Sequence, residues 1–443
     1  MATKKDLVEA QSFSRRRLTT AFVSGAPGGR EVEPDRPLRA VVGGVALSVV
    51  LVLGSMAFGW LRSSLPDDWG DNRLVIAEDS GARYVSVNEV LHPVVNTTSA
   101  RLLIPADEFE VLAVPDEELA DIRPGPTLGI LGAPDSLTPR DRLVGTGWVS
   151  CLGASETVTT TIGPGGAATP AAGRAVLVTS GEETFVLADG RRYPVAQDDL
   201  SAVSVALRLD GRPAVPAPAA WLNLFPEGSP LAPLRIEDLG APLPGLPSGA
   251  AVGSVLRLDS DGRRYVVTPE GDLELLPEVA LAMYGLGSGA SGTEIPVEAA
   301  QIARLEVRSP ELAPTDWPQA LPSGLESAPC ATLVAAAGEP PEVALTTVTD
   351  DPPATDRGRT TVDTGYGALV RSVTGAALSD GPVYAVDQTA TAYAVEGADT
   401  EVLARLGYRT DDVVPVPQAW TELFRSGPAL GVDAARTVVS GGS

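Results

Sequence analysis

The longest apolar run in the chain extends from Val41 to Leu61 (VVGGVALSVVLVLGSMAFGWL), 21 consecutive residues without a charge. As a helix rising about 1.5 Å per residue it measures roughly 30 Å, one hydrocarbon core. It predicts a single transmembrane helix. Arg39 and Arg62 bound the run, and Trp60 and Trp69 stand near its far end, where amphipathic rings favour the membrane interface. A cleaved signal peptide would need a short apolar stretch of about 7 to 15 residues near the start, and this one lies too deep and runs too long. A buried core helix is the remaining alternative. Upstream, Thr3 to Val23 patterns as an amphipathic helix capped by Thr3, with Leu7, Val8, Phe13, Leu18 and Phe22 apolar among basic and polar positions. Such a helix would dock on a cytoplasmic partner or lie on the inner leaflet, or simply fix orientation by charge.

After the run, the pattern changes to short alternating segments punctuated by Gly and Pro. A Gly-x-x-Tyr followed by a valine-rich strand occurs four times, ending at Tyr84, Tyr193, Tyr265 and Tyr384. Asp precedes the Gly in the last three, a tight-hairpin signal because both positions tolerate positive φ. Each unit is expected to open with a β-hairpin, and helical patches follow at Asp198 to Leu207, Leu275 to Met283 and Thr400 to Leu406, the last stopped by Gly407. Two units share a longer tail: Val215-Pro216-Ala217-Pro218-Ala219-Ala220-Trp221 matches Val414-Pro415-Val416-Pro417-Gln418-Ala419-Trp420. Trp221 and Trp420 are expected to pack against their own units, and lining a ligand groove is the alternative.

Two stretches outside the repeats contain Cys151 and Cys330. Their segments Leu143 to Val149, Ala175 to Thr179, Thr332 to Ala335 and Ala368 to Val373 read as strands of one shared sheet, giving a roughly two-fold body. Loops at Gly163 to Gly173 and Gly338 to Arg359 are of low complexity and expected to be mobile. The fold class that follows is one N-terminal transmembrane helix plus a mixed α/β, β-rich, elongated extracytoplasmic domain made of four small hairpin-plus-helix repeats around a central β-sheet. The expected divisions are 1–40 cytoplasmic, 41–61 membrane, 74–120 repeat 1, 121–180 the first stretch of the central domain, 181–235 repeat 2, 250–310 repeat 3, 311–378 the second stretch of the central domain and 379–435 repeat 4.

Charge fixes the direction of crossing. The formal net charge is -24, yet residues 1–40 hold eight Lys or Arg against five Asp or Glu. Lys4, Lys5, Arg15, Arg16, Arg17, Arg30, Arg36 and Arg39 keep the N-terminus in the cytoplasm and send the acidic bulk to the periplasm. So acidic a body repels phosphate backbones, which argues against nucleic-acid binding. Cys151 and Cys330 then lie on the oxidising side, where a disulfide is favoured over two buried thiols. A closed loop of that size stabilises by about 4 to 5 kcal/mol in the chain-entropy model.

Catalytic chemistry is poorly provided for. His92 is the only histidine, which leaves zinc hydrolases and Ser-His-Asp enzymes without their ligands or base. Gly287-Ser288-Gly289-Ala290-Ser291-Gly292 fits a dinucleotide pattern but follows a helical patch, so it reads as a helix stop. No G-x-x-x-x-G-K-[ST] exists, and Lys4 and Lys5 are the only lysines, a bias of the kind a GC-rich genome produces. Acidic pairs such as Asp198-Asp199 and Asp411-Asp412 discriminate nothing in so acidic a chain. No cofactor and no metal site is expected.

The stretch Lys-Lys-Asp-Leu-Val-Glu-Ala-Gln-Ser-Phe-Ser-Arg-Arg-Arg-Leu (4–18), the Arg-Pro-Leu-Arg at 36–39, the four Gly-x-x-Tyr units and the Val-Pro-x-Pro tails resemble EccB, the single-pass subunit of type VII (ESX) secretion systems of actinobacteria. The resemblance implies a structural core subunit of an inner-membrane complex with the EccC motor ATPase, EccD, EccE and other EccB copies, the mycosin protease lying nearby. It also maps the family's disulfide onto Cys151 and Cys330. The family is sometimes labelled an ATPase, against which the absent phosphate-binding loop speaks. An extracytoplasmic nucleotide hydrolase and a cell-wall binding module are the alternatives to a structural role.

Overall fold

The computed structural model describes residues 3–24, 38–60, 65–66, 68–153, 156–165, 168–289, 294–348, 359–375 and 377–439, with side chains of 41–56 only in the second segment. It separates into two units, Met1–Pro66 and Asp67–Ser443.

The first unit holds two helices, Lys4–Ser24 and Leu38–Trp60. The main-chain N–H and the hydroxyl of Thr3 both donate to the Asp6 carboxylate at the start of the first. The apolar run is thus helical through Trp60, yet among the described residues no helix is long and apolar enough to cross a membrane. The described side chains, 41–56, cover only about 24 Å of helix against the roughly 30 Å required. Leu61, Arg62, Arg30, Arg36 and the side chains of Arg39 and Trp60 lie outside the described residues.

In the second unit one topology recurs four times: three antiparallel strands, a helix, a strand parallel to the first, a short helix, and a final pairing parallel to the third. The first repeat has strands Arg73–Ala77, Arg83–Val87 and Val90–Pro93, helix Thr97–Leu103, strand Glu110–Val114, helix Asp116–Leu119 and a bridge from Leu128 to Val94. The second runs through Arg174–Ser180, Glu183–Ala188, Arg191–Val195, helix Leu200–Ala206, Val215–Pro216 and helix Ala219–Leu222 to Glu227, which bridges Arg192. The third has Val255–Leu258, Arg264–Val267, Leu273–Leu275, helix Glu278–Leu286, Ile295–Val297, helix Ala299–Ile302 and Val307–Arg308. The fourth has Ala368–Val373, Val383–Val386, Thr391–Val395, helix Thr400–Arg405, Val414–Pro417, helix Gln418–Thr421 and Arg425–Ser426.

Each repeat therefore opens with a hairpin that a third strand extends into a meander, and the Gly-x-x-Tyr does not mark one position. Gly81, Gly262 and Gly381 turn the first strand into the second, whereas Gly190 turns the second into the third. Tyr193 consequently corresponds to Tyr393, not Tyr384: both stand on third strands, and both pack their rings on a glycine of the tail, Gly228 and Gly427. The tails themselves carry strands, because prolines at a sheet edge lose no ladder bond when their nitrogens face outward.

The central sheet has six strands in the order Arg359–Val362, Val158–Ile162, Trp148–Leu152, Cys330–Val334, Glu342–Val348 and Ala168–Pro170. Two of the four segments expected in it are elsewhere: Arg174–Ser180 and Ala368–Val373 are first strands of repeats 2 and 4. Their hydrophobic runs are those of buried strands, which periodicity alone cannot allot to one sheet or another. Of the two low-complexity loops, residues 166–167 and 349–358 lie outside the described residues, as do residues 290–292 of the glycine-rich stretch.

The repeats pair crosswise. Leu102 of repeat 1 shares a core with Leu403, Leu406, Leu430 and Ala435 of repeat 4 and the segment after it. Val203 and Leu207 of repeat 2 share another with Val279, Met283 and Tyr284 of repeat 3. Chain entering the central sheet repeats the cross: Leu143 bridges Gly367 of repeat 4, and Ser323–Gly324 pairs with the first strand of repeat 2.

Candidate functional site

The centre of the second unit is where both long tails meet the central sheet. Strand Trp148–Leu152 sends alternate side chains to opposite faces. Trp148 and Leu152 enter a core with Trp221, Phe225, Trp420 and Phe424, while Val149 and Cys151 point the other way with Cys330. The Trp148 ring lies edge-on to Trp420 at 6.3 Å and to Phe424 at 5.4 Å, and Trp221 to Phe225 at 5.3 Å. Such pairs add about 0.5–1.5 kcal/mol each beyond their buried area. The indole N–H of Trp221 donates to the Ser150 carbonyl at 3.0 Å, and that of Trp148 to the Val144 carbonyl at 2.8 Å. Among the described residues the buried Trp420 indole nitrogen has no partner.

On the opposite face Cys151 and Cys330 stand in register on adjacent antiparallel strands and form a disulfide, with Cα atoms 4.0 Å apart. The bond joins two segments of the chain 179 residues apart, across the middle strand pair of the sheet. Threonines surround it, and the Thr332 and Thr346 hydroxyls hydrogen-bond each other at 2.8 Å.

The four tyrosines of the repeat motif occupy unlike places. Tyr193 and Tyr265 are buried, whereas Tyr84 and Tyr384 are half-buried, the latter packed against the central core. Tyr193 donates its hydroxyl to the Asp316 carbonyl at 2.7 Å, and burial, with the Asp316 charge adding, pushes its phenol up to about 12. Tyr408, which the motif does not include, donates to the Thr138 carbonyl at 2.8 Å and ties repeat 4 to the segment before the central sheet. Beside it Arg140 grips Asp412 through two nitrogens at 2.5 and 2.7 Å, holding that carboxyl below the usual range. A pairing across some 270 residues leaves no local sequence signal, and Asp411-Asp412 reads simply as a turn.

Other candidates are structural or exposed. His92 directs Nδ1 to the Pro126 carbonyl at 3.0 Å. Among the described residues no group of three or more His, Cys, Asp or Glu could hold a metal ion. In the first unit Arg15, Arg16 and Arg17 are exposed on helix Lys4–Ser24, as are Leu7, Phe13, Leu18 and Phe22.

A family model described as "Type VII secretion system ESX-1, transport TM domain B" matches residues 1–441. The chain belongs to this family, EccB. The ESX-3 secretion system ATPase EccB3 of Mycolicibacterium smegmatis is 29% identical over 446 residues, covering 88% of this chain and 82% of that one. EccB3 of Mycobacterium tuberculosis (strain H37Rv) is 32% identical over 280 residues, 56% of this chain, and the match spans about half of that relative, 51%. Among solved structures, the EccB3 chain of an EccB3 dimer from the ESX-3 core complex superposes with a TM-score of 0.66 at 26% identity, covering 82% of this chain and 99% of that one. A chain of an intact ESX-5 inner membrane complex superposes with a TM-score of 0.66 over 100% of this chain and 96% of its own at 22% identity, a likeness of fold. This EccB chain is thus a mixed α/β, β-rich protein of several sheets with a central disulfide, Cys151–Cys330.

Proposed function

We propose that this EccB chain is a structural core subunit of a type VII (ESX) inner-membrane secretion complex, anchored by one transmembrane helix. The family match from residue 1 to residue 441 carries the reading, since it takes in the basic stub, the apolar helix and the repeats together. The helix Leu38–Trp60 would cross the membrane, with Arg15, Arg16 and Arg17 on the cytoplasmic side and the unit from Asp67 onward in the periplasm. The disulfide supports that placement, because such bonds persist in oxidising compartments. Partners on this reading are the EccC motor ATPase, EccD, EccE and further EccB copies, with the mycosin protease nearby; no nucleic acid is involved.

The relatives' names include the word ATPase, which gives a nucleotide hydrolase as second reading. Against it, the sequence has no phosphate-binding loop, and no lysine after Lys5 to reach a phosphate. Nothing specific favours a cell-wall binding module. Detergent extraction with a C-terminal affinity tag tests the main reading: co-purification of a motor ATPase and polytopic subunits is expected. Recovery of the chain alone, or a C-terminal unit shielded from protease added to spheroplasts, would overturn it.

A further inference from the structure

Three of the four repeats protect the same sheet edge with proline. The strand parallel to the first carries Pro216 in repeat 2, Pro296 in repeat 3, and Pro415 and Pro417 in repeat 4. In repeat 2 the next residue, Ala217, donates its N–H inward to the Thr179 carbonyl, so the nitrogen of Pro216 faces away from the sheet. A proline there leaves nothing to donate to an added strand, a common way of closing an exposed edge.

Repeat 1 lacks this protection. Its strand Glu110–Val114 pairs with Arg73–Ala77 and, among the described residues, with no other strand. The register aligns it with repeat 3: the Val114 carbonyl accepts from Glu78 N–H as the Val297 carbonyl accepts from Asp259 N–H, which puts Ala113 where repeat 3 has Pro296. Inward pairing at Val114 turns the N–H and C=O of Val111 and Ala113 outward, since groups alternate along a parallel strand. Both side chains are exposed, Val111 by 47%. The segment itself is acidic: residues 102–122 hold seven Asp or Glu and no Arg or Lys, with Arg73 paired to Glu110 and Arg101 over the Phe109 ring as the neighbouring cations. Asp107, Glu117 and Glu118 are exposed.

We infer that the outer edge of Glu110–Val114 receives a strand from a partner protein, supplied by an extended basic segment. Main-chain bonds to Val111 and Ala113 give the affinity, and the acidic border selects a cationic strand. The surface lies apart from the tail junction and does not depend on the secretion reading.

The test uses the full chain in detergent and, as probe, a fluorescent peptide of about ten residues alternating Arg and Thr, with an alternating Glu and Thr peptide for comparison. Binding of the basic peptide alone is expected, with slowed amide exchange at residues 110–114 and weakening as salt is raised. Ala113→Pro, which installs the residue repeat 3 already tolerates, should weaken binding about tenfold or more with the melting temperature kept. Should that variant misfold, Glu117→Lys with Glu118→Lys supplies the second arm and should also weaken binding. Equal binding by Ala113→Pro or by the charge-reversed variant, or equal binding of the acidic peptide, overturns the inference. So does loss of self-association in Ala113→Pro without any peptide binding, which would name a second copy as occupant.

Discussion

The indole of Trp221 hydrogen-bonds the main-chain carbonyl of Ser150 at 3.0 Å, so the tail of repeat 2 is tied by a directed bond to the strand beside the disulfide. Trp420, at the matching place in the tail of repeat 4, packs on Trp148 with no partner for its N–H among the described residues. The two tails thus use the same side chain in two ways: one by packing and a bond, the other by packing alone.

Trp221→Phe should therefore cost more than Trp420→Phe. Both lose ring area, but only the first also loses a hydrogen bond to a buried carbonyl, a difference of about 1 kcal/mol. Urea denaturation of the two variants, read by midpoint at constant slope, checks the order. Replacing either Trp by Ala should cost about 3–5 kcal/mol.

Removing the disulfide with Cys151→Ser and Cys330→Ser together should lower stability by about 4–5 kcal/mol if the chain-entropy account holds for a bond spanning 179 residues. Guanidinium denaturation of the double variant, beside the parent with and without reductant, gives the number. Both cysteines are buried, so native parent should resist reduction until it opens.

The Arg140–Asp412 contact predicts a term in acid stability. The Arg140 hydrogen bond holds the Asp412 pKa below its unfolded value of about 3.9. Its contribution is complete above that value and disappears as pH falls through the lower folded pKa. The stability difference between parent and Asp412→Asn, measured by thermal melts from pH 6 downward, should shrink toward zero at the acid end.

Alkaline behaviour runs the other way. Burial pushes the phenols of Tyr193 and Tyr284 up to about 12, against about 10 in the unfolded chain. The stability they give as neutral donors is complete below pH 10 and is lost as pH rises toward 12. Spectrophotometric titration should show the loss of structure coinciding with phenolate formation, and the double Tyr→Phe variant should show a flatter profile above pH 10.

Gly228 and Gly427 each leave room for a tyrosine ring, of Tyr193 and Tyr393, that a methyl group would occupy. Gly228→Ala should destabilise by about 1–3 kcal/mol through overpacking, and Gly427→Ala by a similar amount. Melting of each variant checks this.

How much of this was legible in the sequence depends on how local the signals are. The Gly-x-x-Tyr turns and the Trp-containing tails announce themselves within a few residues, and the four units follow from the turns. The first strand of repeat 2 was read as a strand but allotted to the central sheet, because its turn, at Gly181, lacks the tyrosine that the other first turns carry, and the motif there appears one turn later, at Gly190. Val215–Pro216 and Val414–Pro417 looked unlike strands because proline ordinarily removes a ladder donor; only the sheet shows that those nitrogens face outward. Arg140 with Asp412 and Leu143 with Gly367 could not be read at all, since their partners are set by which repeat folds against which.

The bridge between Leu128 and Val438 fixes the order in which the body can become complete. A ribosome delivers the Leu128 side of the first repeat, opposite the open strand Glu110–Val114, long before the residues that cover it, roughly 300 positions later, so that side stays bare through most of synthesis. The earliest portion of the body is finished last.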